Sequence, residues 1–101
     1  MTLRFILIAA AVPVILMGAH RHTVAIAGFQ FSPLVMRASV GDTVVWENRD
    51  IVPHTATADD GSWDSGPIPA KSKVTMILRS AGEQPFTCIY HANMKGKLIV
   101  K

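Results

Sequence analysis

Residues 86–100 read FTCIYHANMKGKLIV, and this stretch decides how the rest of the chain is interpreted. Side chains in an extended strand point alternately to opposite faces, so Phe86, Cys88 and Tyr90 are expected on one face. Leu98 and Val100 are also two residues apart and are expected to close the domain. We therefore predict a strand, a loop rich in polar and sulfur-containing side chains, and a final apolar segment.

The same short alternation recurs upstream, separated by turn residues. Val44 and Trp46 share one face of residues 43–47, and the apolar residues of 74–78 alternate in the same way. Residues 59–70 (DDGSWDSGPIPA) are rich in Gly, Pro, Asp and Ser and are expected to form a loop. No helical period runs through this part of the sequence. The pattern predicts an all-β fold, a Greek-key β-sandwich of seven or eight short strands.

The first residues have a different composition. Arg4 precedes an unbroken apolar run at residues 5–17 (FILIAAAVPVILM), and small residues follow it. As a helix this run would span roughly 20 Å, less than the roughly 30 Å of a bilayer core. We predict a signal peptide at residues 1–19 and one domain at residues 20–101, exported to the periplasm without stable membrane insertion. A retained membrane anchor or a buried strand is the alternative interpretation.

The charge balance argues against nucleic acid as a partner. Ten Lys and Arg residues face seven Asp and Glu residues, which gives a formal charge of +3. This weak basic bias is spread along the chain, whereas nucleic-acid binding needs a concentrated basic stripe. It mildly favours acidic partners. Four lysines either steer such partners or simply keep the surface solvated: Lys71, Lys73, Lys95 and Lys97.

Cys88 is the single cysteine, so it cannot close an intramolecular disulfide. In an exported chain, a bound metal is the leading explanation for such a thiol. His91 and Met94 follow it at equal spacings of three. Type 1 copper takes two imidazoles and one thiolate in a near-trigonal plane, with a weak axial thioether. This loop therefore supplies all but one of the ligands that such an ion needs.

The missing imidazole has three candidates, which are His20, His22 and His54. His54 is preferred because it follows Pro53 at the start of a predicted short strand, whereas the other two lie at the expected mature terminus. Taken singly, a cysteine, a surface histidine or a core methionine each has an ordinary structural explanation. Taken together they predict one type 1 copper ion. Its predicted ligands are His54, Cys88, His91 and Met94.

Four motifs of the chain resemble those of small cupredoxins of the plastocyanin and amicyanin group. The resemblance rests on VGDTVVW (residues 40–46), WENRDIVPHT (46–55), DSGPIPAKSK (64–73) and the final FTCIYHANMKGKLIV. The two residues between His91 and Met94 make the loop more similar to amicyanin than to plastocyanin. The resemblance implies a Greek-key β-sandwich with His54 buried and His91 at the surface. It also implies the same four ligands.

Thr55 departs from the pattern, because many relatives have asparagine directly after the first histidine ligand. That asparagine ties the two ligand loops together, and its backbone N–H donates to the thiolate. The backbone N–H remains in threonine, so the departure concerns the potential and the rigidity of the loop. Asn48 is interpreted as a turn residue, with a brace for the ligand loop as the alternative.

These features predict a one-electron carrier that is not an enzyme. Electrons would pass through His91 within an apolar rim formed by Pro53, Ala92 and Met94, with Pro33 and Pro69 as further candidates. The expected partners are redox proteins, such as a c-type cytochrome or a periplasmic dehydrogenase, and we expect a monomer. A copper carrier or storage protein is the alternative function, and a cysteine–histidine enzyme is a third.

His20-Arg21-His22 supports a smaller hypothesis. Cleavage after Ala19 would place His22 third from a free amine, an arrangement that can bind a second copper ion as Cu(II). The alternative is a frayed and solvated terminus.

Overall fold

The computed structural model of the chain describes residues 19–101. The predicted signal peptide therefore lies outside the described residues except for its last position. Residues 19–101 form eight strands and no helix, so no helix there is long and apolar enough to span a membrane. The strands are β1 (Arg21–Ala27), β2 (Gln30–Ser32), β3 (Val35–Ala38), β4 (Thr43–Asn48), β5 (Thr57–Ala58), β6 (Lys73–Ile77), β7 (Gly82–Cys88) and β8 (His91–Val100).

The strands form two four-stranded sheets. One has the order β2-β1-β4-β6 and the other has the order β3-β8-β7-β5. The pairs β1–β4 and β3–β8 are parallel, and the remaining pairs are antiparallel. Five of the seven connections pass from one sheet to the other, and only β1–β2 and β7–β8 join strands of the same sheet. The predicted all-β sandwich is confirmed.

Aromatic side chains from both sheets meet in the core around Trp46. Its ring centroid lies 5.1 Å from that of Phe86 on the other sheet and 6.1 Å from that of Phe31. Trp63 stacks on it at 6.0 Å, although Trp63 belongs to the segment predicted as a loop. Edge-to-face and stacked aromatic pairs stabilise a core beyond the area they bury. This cluster joins the two sheets beneath the end that carries the predicted ligands.

Phe86 also fixes the pairing of β7 with β8. It lies opposite Gly96 in the register of the two strands. A Cβ atom at residue 96 would overlap the Phe86 ring, so glycine is required there by space rather than by backbone conformation.

Two details differ from the sequence-based expectation. Tyr90 is half exposed, because β7 ends at Cys88 and residues 89–90 form a turn. The strand expected at residues 54–58 is reduced to Thr57–Ala58, while His54 makes an isolated bridge to Ile68.

Candidate metal centre

Cys88 and His91 lie at the two sides of a tight β-hairpin. β7 ends at Cys88, β8 begins at His91, and the two residues are paired across the two-residue turn. Cys88 is completely buried, whereas His91 is half-buried. The hairpin therefore directs the thiol into the core and leaves the imidazole near the surface.

An irregularity in this hairpin separates Met94 from His91. The register moves from the pair Thr87–Lys95 directly to Cys88–His91, so residues 92–94 have no partner on β7. A bulge of this kind bends a strand and re-aims its side chains. Met94 is turned inward and only 3% exposed. The prediction that Met94 contributes to an exposed rim is therefore wrong, although Pro53 and Ala92 are exposed as expected.

His54 approaches Cys88 from the connection between β4 and β5. Its backbone N–H donates to the Ile68 carbonyl at 3.1 Å, and the Ile68 N–H donates back at 2.7 Å. These two backbone hydrogen bonds hold the fully buried imidazole so that its Nδ1 lies 3.8 Å from the Cys88 Sγ. Its ring centroid is 5.2 Å from that of His91. The structure thus brings His54, Cys88 and His91 to one end of the sandwich.

The other two histidines lie far along the strands from this point. His22 Nε2 is 2.8 Å from Asp42 Oδ2, and the backbone N–H of His20 donates to Asp42 Oδ1 at 2.9 Å. Asp42 precedes β4, whereas His54 follows its opposite end. These contacts hold residues 20–22 against the start of β4 in the uncleaved chain.

Thr55 connects the two ligand-bearing segments in two ways. Its backbone N–H donates to the Cys88 Sγ at 3.4 Å, as expected from the sequence. Its Oγ1 accepts the N–H of Ile89 at 3.0 Å. The threonine hydroxyl therefore ties together the two ligand-bearing segments, which is the role that the resemblance assigns to an asparagine at this position.

Asp50 was not anticipated as part of the site. Its Oδ2 is 2.8 Å from His54 Nε2, and its carboxylate also accepts the N–H groups of Gly28 and Phe29 at 2.8 and 3.0 Å. Burial raises the pKa of Asp50, but the hydrogen bonds from Phe29, His54 and Gly28 outweigh this and hold it below the ordinary value. The carboxylate is therefore ionised and accepts three donors.

Asn48 braces the loop that leads to His54. Its buried side-chain amide donates to the carbonyls of Val52, Ile68 and Pro69 at 2.8, 3.0 and 3.2 Å. Its Oδ1 accepts the N–H of Asp50 at 2.9 Å. The alternative interpretation as a brace is therefore the correct one, although the contact to Asp50 keeps part of the turn role.

Phe29 completes the surface at this end. Its ring contacts the imidazoles edge-to-face, at 5.4 Å from His54 and 4.9 Å from His91, and remains 49% exposed. The rim prediction missed Phe29 because it precedes His54 by 25 residues. Only the pairing of β1 with β4 brings its turn to the site.

The donor chemistry fits a copper ion of the mixed nitrogen and sulfur type. Within residues 19–101 no three His, Cys, Asp or Glu side chains form a metal cluster by themselves. However, the Asp50 carboxylate accepts a hydrogen bond from the Nε2–H of His54, which leaves the Nδ1 lone pair free and facing the thiol. The N–H of Thr55 favours the thiolate form of Cys88 by hydrogen bonding to it. With the buried thioether of Met94, these residues offer soft donors that suit Cu(I) and imidazoles that suit both states.

The sequence-family model of the cupredoxin-like domain matches residues 3–100 of this chain. The chain belongs to the cupredoxin-like family. Amicyanin from Paracoccus denitrificans is 30% identical over 81 residues, which is 75% of this chain and 62% of that amicyanin. The match therefore spans less than two thirds of the relative's length. The sequence-based identification of a cupredoxin close to amicyanin is confirmed.

Solved cupredoxin structures share the architecture. A reduced Cu(I) form of an amicyanin variant at pH 4 has a TM-score of 0.70 and 26% identity, with 83% of each chain covered. A copper-containing nitrite reductase from Thermus scotoductus has a TM-score of 0.73 and 24% identity, and shows the fold alone. The similarity covers 80% of this chain but 22% of that enzyme. Family membership confirms the prediction of type 1 copper as the cofactor.

Proposed function

We propose that this protein is an exported, periplasmic one-electron carrier and not an enzyme. A single type 1 copper ion would be held by four residues, which are His54, Cys88, His91 and Met94. When bound, this ion supplies a centre that alternates between Cu(II) and Cu(I) without bond formation in a substrate. The observation that carries the proposal is the buried Cys88 thiol, which faces His54 Nδ1 at 3.8 Å and accepts the Thr55 N–H.

The surroundings of these residues support electron transfer with little rearrangement. His54 is fixed by two backbone hydrogen bonds to Ile68, and Cys88 is fixed by its position at the end of β7. Ligands held on a rigid scaffold move little when the charge of the ion changes. His91, half-buried beside the exposed Phe29 ring, offers the path to the surface.

The expected partners are other redox proteins that meet this surface briefly, such as a c-type cytochrome or a periplasmic dehydrogenase. Small interfaces are typical of such transient encounters. Lys73 and Lys95 are exposed and available to steer acidic partners, whereas Lys97 lies 3.6 Å from Glu83, which partly neutralises it.

The visible spectrum of the copper-loaded protein tests the proposal. We expect an intense thiolate-to-copper band near ~600 nm, absent in Cys88→Ser. A copper-loaded wild type without this band would reject the assignment. A copper carrier would surrender the ion to a chelating acceptor within a few redox cycles, whereas the buried His54 and Cys88 favour retention through many cycles.

A further inference from the structure

The turn between β1 and β2 holds a bulky residue in an unfavourable conformation. Ala27 pairs with Gln30, so Gly28 and Phe29 alone form the turn, and their φ angles are +58° and +59°. A two-residue hairpin turn with positive φ at both positions suits glycine. At Phe29 the same conformation brings the side chain against its own backbone, and a large residue adopts it at a steric cost. Something must hold Phe29 there.

The carboxylate of Asp50 provides that hold. It accepts the N–H groups of both turn residues, one on each oxygen, at 2.8 Å from Gly28 and 3.0 Å from Phe29. Hydrogen bonds to an ionised group are stronger than those between neutral groups. The oxygen that accepts the Phe29 N–H also receives Nε2–H of His54 at 2.8 Å. One carboxylate therefore binds a candidate ligand and the turn beside it.

The result of this arrangement is a ring placed over both imidazoles. Phe29 meets His54 and His91 nearly at right angles, with interplanar angles of 86° and 82°. Phe29 is half exposed, whereas His54, which its ring contacts, has no exposed surface. Strained residues that are held by their surroundings cluster at functional sites.

We infer that Asp50 and Phe29 act together as positioning residues for the metal centre. Asp50 fixes the orientation and tautomer of His54 and, through the turn, holds the Phe29 ring as a cover over His54 and His91. The inference deepens the proposed function and rests on it. Because a carboxylate acceptor makes the imidazole a stronger donor, Asp50 stabilises Cu(II) more than Cu(I) and lowers the reduction potential.

Asp50→Asn tests whether the charge of Asp50 lowers the reduction potential, since asparagine has the same shape without the charge. We expect the ratio of Cu(II) to Cu(I) affinity to fall at least about tenfold, which raises the potential by about 59 mV for each factor of ten. Asp50→Glu should restore part of the change, and Asp60→Asn, a loop aspartate outside these contacts, should have no effect. A folded, blue Asp50→Asn protein with the wild-type potential would overturn the inferred effect of Asp50 on the metal centre.

The rate of proton exchange at His54 Nε2, measured by NMR, tests whether the Phe29 ring covers His54. Phe29→Gly removes the ring and relieves the strained turn, so the fold should be retained. We expect exchange to accelerate at least about tenfold. Wild-type exchange in this variant would overturn the covering role. Because exchange can be followed in the metal-free protein, failure of the cover is distinguishable from failure of the proposed function, which a colourless copper-loaded wild type would show.

Discussion

Two aspartates at opposite ends of the β1–β4 pair make almost the same set of contacts. Asp42, before β4, accepts the N–H groups of His20 and Ser39 and lies 2.8 Å from His22 Nε2. Asp50, after β4, accepts two turn N–H groups and lies 2.8 Å from His54 Nε2.

The two ends differ in what lies on the other side of the histidine. The side chain of His22 is 27% exposed, and its contact with Asp42 secures the first strand. His54 has no exposed surface, and its Nδ1 faces a buried thiol. The two carboxylate–histidine pairs therefore differ in burial and in the thiol beside the histidine, and only the buried pair is proposed to belong to the metal centre.

The largest difference is expected between His54→Ala and His22→Ala. The first removes a proposed ligand and leaves Asp50 without its buried partner, so the blue absorption of the copper-loaded protein should disappear. The second should leave the spectrum unchanged, because His22 lies at the far end. Visible and circular dichroism spectra measure the centre and the fold separately. A blue His54→Ala protein would remove His54 from the ligand set.

Removal of copper should affect the two ends unequally. A ligand at a thousand times its Kd stabilises the folded state by about 4 kcal/mol, and this contribution is lost in the metal-free protein. Hydrogen exchange should show the greatest loss of protection at the N–H groups of Thr55 and Ile89, and little at Ser39. Equal loss at both ends would contradict a metal site confined to the His54 end.

Asn48→Ala should destabilise the metal-free protein by about 1–3 kcal/mol, since it removes the buried amide that donates to the Val52 carbonyl and accepts the Asp50 N–H. Asn93→Ala is the matched control, because Asn93 is exposed in the same end of the molecule. Urea unfolding of the two variants measures the difference. Equal stability of both variants would mean that Asn48 does not brace the loop.

The smallest effect is expected for Asp42→Asn in the metal-free protein. The hydrogen bond from His22, with those from the Ser39 and His20 backbone, lowers the pKa of Asp42 from 3.8 to about 2. A lowered pKa means that the ionised form stabilises the fold above pH 3.8, and that this contribution is lost as the pH falls toward 2. The variant should therefore be less stable than the wild type at pH 7 and equal to it near pH 2. Thermal unfolding across this range checks the sign, and a difference that grows on acidification would contradict it.

Much of the molecule could be predicted from local sequence because its signals are local. The alternation of Val44 with Trp46 indicates a strand, and the equal spacing of Cys88, His91 and Met94 indicates a ligand loop. The family comparison confirms the fold and the copper cofactor, while the four ligands stay a prediction. Tyr90 was misplaced because a regular alternation was extended past the end of β7.

The parts that could not be predicted depend on distant segments meeting. Phe29 and Asp50 are 21 residues apart, and nothing in either segment shows that the β1–β2 turn lies against the loop after β4. The brace formed by Asn48 likewise needs the carbonyls of Ile68 and Pro69, which the β4–β6 pairing brings near. Aspartate and asparagine at strand ends are common in turns, so their composition alone favoured the ordinary interpretation.

The contact between Phe86 and Gly96 has a consequence for the evolution of the chain. Because a Cβ atom at residue 96 would overlap the Phe86 ring, a side chain fits there only if the ring moves or is replaced by a smaller one. Among homologous sequences, a side chain at the position of Gly96 should occur together with a smaller residue at that of Phe86. Covariation of these two positions would mark the hairpin that carries Cys88 even in relatives that have lost the copper ligands.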